Sequence, residues 1–233
     1  MAYNPNPQLL EEALVHQAKE LGSALLADGM KALGGIENDG CMCAEMMPVN
    51  TEILTFAGTA LTVETDNGDN FPIHVATYSG GDGYVMVVDG KGNKERAYLG
   101  GLIAGAAKAI GFRAIVCDGY VRDRDDCTTE GMPVFATGIM QRGPIKKDKG
   151  NINIPLQCGG ITVFPGDLVV GDCDGVSVVP REKIAEVIEK AREKRDYEVK
   201  RVATIHAYEE DRKKGEPLPE LAPQWVLDML SGQ

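Results

Sequence analysis

The chain reads as an α/β protein with a β-rich middle, interspersed helices, and further helices at both termini. Three observations predict this. Short runs of β-branched and aromatic residues recur through the middle: Ile53 to Glu64, Tyr84 to Val88, Ala114 to Cys117, Pro133 to Thr137, Ile161 to Phe164, Leu168 to Val170 and Val176 to Val179. A small-residue helical stretch from Leu102 to Ile110 lies between two of them, bracketed by Gly100-Gly101 and Gly111. Helical spacing of apolar residues dominates before Gly34 and after Pro180.

Taken in order, Asn6-Pro7 carries the cap-and-first-turn signal of a helix, continued by Leu9, Leu10, Ala13, Leu14, Ala18 and Leu21. Gly22 punctuates, and Ser23 is placed to cap a second helix ending at Gly34-Gly35. Residues 36 to 50 read as irregular. Ile53 to Glu64 reads as a strand pair bent at Gly58, and Ile73 to Thr77 opens a helix that fails at Ser79-Gly80-Gly81. The strand Ala114 to Cys117 is expected to break at the turn signal Asp118-Gly119. Arg142 to Asn151 reads as a basic loop and Pro165-Gly166-Asp167 as a turn. Ile184, Ile188, Ala191, Val199, Val202 and Ile205 then mark one face of a long charged helix. The tail around Trp225, Leu227, Met229 and Leu230 is apolar enough to dock on a neighbour, in this subunit or another.

A chain of 233 residues suits one large domain, or one domain with extensions. The formal net charge of −11 argues against nonspecific nucleic-acid binding, which needs clustered Lys and Arg. The start of the chain has no signal-like pattern and no apolar run approaches membrane-spanning length, so a cytoplasmic protein with no membrane partner is expected. The six cysteines read as free thiols, mostly structural, and His16, His74 and His206 show no mutual metal spacing.

Chemistry concentrates at Ala114 to Asp126. A buried strand leading through Gly119 to Arg122, Asp123, Asp125 and Asp126 places charge at a strand's C-terminal end, where α/β proteins bind ligands. The Gly100-Gly101 helix start offers free N–H groups to an anionic oxygen. Plainer readings stand beside these. Arg122-Asp123 can be a surface ion pair, Gly100-Gly101 only a tight turn, and Asp118 a turn-shaping residue. Lys146, Lys147 and Lys149 can be a solvated loop or can meet a second carboxylate of a ligand, and the loops Asn67 to Asn70 and Arg142 to Asn151 are the candidates for recognising it.

Several separated motifs agree with one family. They are Phe56-Ala57-Gly58-Thr59-Ala60-Leu61-Thr62-Val63, the strand end Asp89-Gly90, Gly100 through Asp118-Gly119-Tyr120-Val121-Arg122-Asp123, and Pro133-Val134-Phe135. Cys158-Gly159-Gly160-Ile161-Thr162-Val163, Pro165-Gly166-Asp167, Asp174-Gly175-Val176 and Pro180 complete the series. In this order and spacing the chain resembles the RraA-like family, over roughly residues 23 to 181. That family includes the 4-hydroxy-4-methyl-2-oxoglutarate and 4-carboxy-4-hydroxy-2-oxoadipate aldolases.

The resemblance implies a three-layer β/β/α swivelling-type domain over residues 1–180, with a C-terminal helical extension over 181–233 between subunits of a homotrimer or homohexamer. It implies a lyase using Mg²⁺ or Mn²⁺ that cleaves or decarboxylates a small 2-oxo acid, oxaloacetate included, to pyruvate through a metal-stabilised enolate. Asp123 would ligate the metal and Asp126 would hold its water. Arg122 would bind substrate and steady the developing oxyanion, and Gly101 with the Leu102 and Ile103 amides would hold the pyruvyl carboxylate. A catalytic Glu from a neighbouring subunit's C-terminal helix matches Glu198, or else Glu193. Many of these aldolases carry an acid twenty-one positions before the Arg, where this chain has Gly101. The family's other branch, noncatalytic regulators that bind a ribonuclease, is the alternative.

Overall fold

A computed structural model describes residues 2–52, 55–147 and 150–232. The expectations for Ile53, Leu54 and Lys149 lie outside the described residues. The chain divides into two compact units, Met1–Arg192 and Glu193–Gln233.

The first unit opens with α1 (Glu12–Leu33), kinked at Gly22, where φ is +80°. The Asn6-Pro7 signal does not start this helix: Asn6 Nδ2 donates to Ser79 O at 2.8 Å. Beyond the kink the helix restarts as expected at Ser23. Its cap, however, comes from Asp172, whose carboxylate accepts from Ser23 N at 2.7 Å and Ser23 Oγ at 2.6 Å. Then follow β1 (Met47–Pro48), β2 (Phe56–Thr65), α2 (Phe71–Ser79), β3 (Tyr84–Asp89), α3 (Gly101–Ile110), β4 (Ala114–Val121), α4 (Arg124–Glu130) and β5 (Val134–Ile139). After these come β6 (Gly150–Ile152), β7 (Leu156–Cys158), β8 (Ile161–Val163), β9 (Leu168–Asp172) and β10 (Gly175–Val179), then α5 (Ile184–Lys214) and α6 (Gln224–Ser231).

Among the described residues the strands form one large sheet in the order β1-β5-β4-β3-β2-β9-β10, with β6 added to β2. Strands β2 to β5 run parallel, and β9 and β10 antiparallel. The two ends of this order approach each other, because Cys41 bridges Ser177 and Met42 N donates to Val176 O at 3.0 Å. The sheet is therefore nearly closed. Period-2 alternation sorts its side chains. Val85, Val87 and Val116 pack with Phe56, Phe135 and the β7-β8 hairpin residues Leu156, Cys158, Ile161 and Val163. Met86, Val88 and Ile115 face Ile73 of α2 and Ile103, Ala104 and Ala107 of α3. These are the β/β/α layers. A third cluster joins α1 and the start of α5 to β9 and β10 through Leu26, Met30, Leu168, Val170, Val179 and Ile184. Each such side chain, fully buried, stabilises the fold by about 1.5–3 kcal/mol.

Two expected breaks are absent. The described part of the Ile53–Glu64 run is a single unbent strand, and Gly58 is there for close approach: a Cβ would lie 2.8 Å from Gly83 O. Nor does β4 stop at Asp118-Gly119. It runs on to Val121 with a register shift against β5 between Cys117 and Tyr120. Gly119 is required because the Tyr98 ring lies against it, 2.7 Å from where a Cβ would sit.

In the second unit, Val199, Val202 and Ile205 of α5 are exposed, as are Trp225, Met229 and Leu230 of α6. Arg201 donates to Leu221 O at 2.8 Å, tying the tail to the helix. Among the described residues no helix is long and apolar enough to cross a membrane.

Candidate functional site

The bulged end of β4 delivers Arg122 and Asp123. Arg122 N donates to Leu99 O at 3.0 Å, holding the strand end against the loop before α3. Asp123 adopts the left-handed conformation, φ 56° and ψ 49°, and becomes the N-cap residue of α4. Asp tolerates this region better than most residues, and such backbone persists where the surroundings over-determine it. Here they do. Cys127 N donates to Asp123 O at 2.9 Å. Buried Asn50 donates to Cys127 O and Met132 O and accepts from Val134 N, pinning α4 to β5. The carboxylates of Asp123 and Asp126 thus stand on a fixed turn. Arg122 Nε lies 3.4 Å from Asp123 Oδ2, both side chains about two-fifths exposed. Asp126, in the first turn of α4, is exposed.

Facing this turn is the start of α3. Gly100 has extended backbone, and a Cβ there would overlap Asp123 Oδ2. A Cβ on Gly101 would overlap the Cβ of Asp126, and would lie 3.3 Å from Asp126 Oδ2. The two glycines therefore make the space that the two carboxylates fill. Asp126 occupies the room an acidic side chain at position 101 would need, which is the structural counterpart of Gly101 in this chain. The N–H of Ile103 donates to Gly100 O at 3.1 Å. The N–H groups of Gly101 and Leu102 have no partner among the described residues. The free amides at the helix start are thus those of Gly101 and Leu102 rather than of Leu102 and Ile103.

The opposite wall comes from α2 and the loop after β5. Fully buried Asp69 accepts from Phe71 N at 2.9 Å and Lys147 N at 2.7 Å, joining the two across a long sequence separation. Asn70 N donates to Ile145 O at 3.0 Å. This pairing brings Asn70, His74 and Lys146 together with Gly100, Leu102, Arg122 and Asp123 around a cleft of about 300 Å³. Burial, and then the Lys146 ammonium nearby, hold His74 below the usual imidazole range. It is therefore neutral near pH 7. Asn70 and Lys146 belong to the two loops, Asn67 to Asn70 and Arg142 to Asn151, expected to meet a second carboxylate, whereas His74 reads from the sequence as structural.

Asp123 and Asp126 offer hard carboxylate oxygens on a rigid turn packed against Gly100 and Gly101. That donor set fits Mg²⁺ or Mn²⁺, which keeps several waters and needs few protein ligands. The tightest group of metal-type side chains among the described residues lies elsewhere, at Asp172, Cys173 and Asp174. Its central carboxylate, Asp172, is already occupied by Ser23 and by Asp174 N at 3.0 Å. Glu198 and Glu193 lie on α5 in the second unit, Glu198 3.7 Å from Lys194. His16 pairs loosely with Glu20, and His206 is exposed on α5. All six cysteines are free: Cys117, Cys127 and Cys158 are buried, with thiols pushed up by desolvation, while Cys41 and Cys173 are exposed.

Comparison with known proteins fits this geometry. A family model described as RraA-like (Aldolase/RraA) matches residues 23–178. A protein of Halalkalibacterium halodurans that carries the provisional name 4-hydroxy-4-methyl-2-oxoglutarate aldolase is 38% identical over 163 residues, 70% of this chain and 76% of its own. The solved structure of an uncharacterized protein from Pseudomonas syringae pv. tomato superposes with a TM-score of 0.75 at 26% identity, covering 89% of this chain and 92% of that one. The RNA-processing inhibitor RraA from Thermus thermophilis superposes with a TM-score of 0.56 at 28% identity, over 60% of this chain and 84% of that one. By its motifs, its fold and this match over most of its length, the chain belongs to the RraA-like family.

Proposed function

We propose that this protein is a divalent-metal-dependent lyase that cleaves or decarboxylates a 2-oxo acid, of the 4-hydroxy-4-methyl-2-oxoglutarate or oxaloacetate kind, to give pyruvate. One observation carries this reading: a single cleft is lined by Arg122, Asp123 and the start of α3 at Gly100 and Leu102, with Gly101 and Asp126 packed against each other beside it. The name of the Halalkalibacterium relative supports the same class.

In this reading Asp123 holds the metal, and Asp126, set against Gly101, holds a water beside it. A Mg²⁺ or Mn²⁺ ion bound there supplies a Lewis acid for the 2-oxo and carboxylate oxygens of the substrate. The Gly101 and Leu102 N–H groups receive the carboxylate, aided by the positive end of α3. Arg122 donates to the oxygen on which charge develops as the C–C bond breaks. Lys146 is placed to meet a second carboxylate at the far end of the substrate. Glu198 of a neighbouring copy, in a homotrimer or homohexamer, would take the hydroxyl proton of a 4-hydroxy-2-oxo acid as its C3–C4 bond breaks, and a proton from water at C3 would complete the pyruvate; in decarboxylation only that second proton is needed.

The test is pyruvate release from 4-hydroxy-4-methyl-2-oxoglutarate and from oxaloacetate, with Mg²⁺ and then with EDTA. Release that EDTA stops is the expected result. No release from either compound by well-folded protein would contradict the lyase reading. A binding role on a protein partner would then gain, because the chain also resembles an RNA-processing inhibitor.

A further inference from the structure

Helix α4 cannot hold itself. It has seven residues, well short of the roughly 12–15 that an isolated helix needs in water, and it buries only Cys127. Yet its N-cap and first turn carry Asp123 and Asp126. Its anchor is Asn50, 5% exposed, in the segment that follows β1. Asn50 Nδ2 donates to Cys127 O at 3.0 Å and to Met132 O at 2.9 Å, and Oδ1 accepts from Val134 N at 2.9 Å. Both amide hydrogens are thus in use. Cys127 O is one of the last four carbonyls of α4, which the helix leaves without a partner of its own, and Gly131 N goes to Thr128 O instead. The same residue donates in the other direction, Cys127 N to Asp123 O at 2.9 Å. Asn50 is therefore two hydrogen bonds in series from the backbone of Asp123, and it grips the residue that follows Asp126. Its neighbours hold α4 as well: Arg124 Nε donates to Val49 O at 2.7 Å, and Thr51 N donates to Thr128 Oγ1 at 3.2 Å. Val49 N donates to Val134 O at 2.8 Å, so the whole segment is seated on β5.

A divalent ion held by few protein oxygens depends on how firmly those oxygens are placed, and groups that orient ligands weigh nearly as much as the ligands. We propose that Asn50 is a positioning residue of the metal turn: by fixing α4 against β5 it sets the affinity of Asp123 and Asp126 for the divalent ion without touching it. This rests on the metal-dependent reading of the cleft and adds the residue that tunes it. Without Asn50 the turn samples arrangements in which the two carboxylates no longer stand together. The ion then binds only the competent fraction, and its apparent affinity falls by that fraction. A purely structural Asn50 would lower stability and leave the affinity alone.

The experiment is calorimetric titration of Mn²⁺ into the wild type, Asn50→Ala and Ser177→Ala. Ser177, buried on β10, donates from Oγ to Ser23 O at 3.1 Å, so its loss weakens the fold away from the metal turn. Asn50→Ala should bind Mn²⁺ about tenfold or more weakly, and Ser177→Ala as tightly as wild type. In pyruvate release the same factor should appear in the KM for Mg²⁺, with kcat at saturating Mg²⁺ within about threefold of wild type. Wild-type affinity in Asn50→Ala would make Asn50 a support of the fold alone and overturn the assignment. So would equal weakening in both variants, which would tie affinity to overall stability. Should Asn50→Ala not fold, the wild type decides through reciprocity: what the anchor gives to the ion, the ion returns to the anchor. Saturating Mg²⁺ should slow hydrogen exchange of the Val134 N–H about tenfold more than that of the Ser23 N–H, which Asp172 holds; equal slowing would overturn the assignment. Absence of pyruvate with Mn²⁺ binding intact would sink the lyase reading, while the affinity of Asn50→Ala still decides for or against Asn50. Absence of Mn²⁺ binding by folded wild type would sink the metal site and the assignment with it.

Discussion

Two acidic turns in the first unit have similar composition and opposite structural fates. At Asp172-Cys173-Asp174 three metal-type side chains crowd together, yet the Asp172 carboxylate is spent on Ser23 N, Ser23 Oγ and Asp174 N. At Asp123–Asp126 only two carboxylates pack against Gly100 and Gly101, and among the described residues no backbone N–H bonds them; Asp123 Oδ2 meets the Arg122 guanidinium alone, at 3.4 Å. Density of acidic groups is therefore a poor guide to a site. What matters is whether the backbone has already used the oxygens. A carboxylate that caps a kinked helix stabilises the fold, whereas one held rigid with its oxygens free can hold a cation.

The largest effect that sharpens this contrast is expected from Asp123→Ala. Loss of a metal ligand removes several kcal/mol of transition-state stabilisation, so turnover should fall by about 10³-fold or more, well beyond the effect of the modest stability loss that Ala brings at a left-handed position. Retained turnover would break the distinction between the two turns.

Gly101→Ala comes next. Its Cβ meets the Asp126 Cβ, so something must shift, at a cost of about 1–3 kcal/mol of stability. Pyruvate release should drop about tenfold as Asp126 is displaced. Full activity in this variant would separate Asp126 from the chemistry.

Asp172→Ala should show the reverse pattern. The helix after Gly22 loses its cap, at about 1–2 kcal/mol in denaturant unfolding, and kcat stays as in wild type.

The smallest effect concerns Asp167, which accepts from Phe164 N and Arg181 N while burial pushes its pKa up to about 6. A carboxyl whose folded pKa is raised contributes stability that is present below its unfolded value near 3.8 and lost as pH rises through about 6. Asp167→Asn should flatten stability against pH between these limits. An unchanged slope in urea melts at pH 4, 5, 6 and 7 would assign the slope to other groups.

The contrast also shows what could be read in advance. Gly100-Gly101, α3, β4 and the Arg122-Asp123 pair were legible because each is signalled locally, by a Gly-Gly start, a Gly stop and a β-branched run. Helix α4 was not, since Arg124 to Glu130 has no apolar period and buries only Cys127. The continuation of β4 through Asp118-Gly119 depends on Tyr98, whose ring packs over Gly90 and Gly119, which no local pattern encodes. The loops carrying Asn70 and Lys146 were legible as candidates for the far end of a substrate, but that they meet, with His74 beside them, was out of reach for the same reason: Asp69 joins segments 78 residues apart. The spent state of Asp172 equally depends on Ser23, 149 positions away. Local propensity finds elements and turns, while long-range hydrogen bonds decide which carboxylates remain free.

The most direct measurement is calorimetric titration of Mn²⁺ into the wild type, Asp123→Ala and Asp172→Ala. Binding should be the same in wild type and Asp172→Ala and lost in Asp123→Ala. Binding that survives in Asp123→Ala and disappears in Asp172→Ala would put the metal at the other turn and contradict the proposed site.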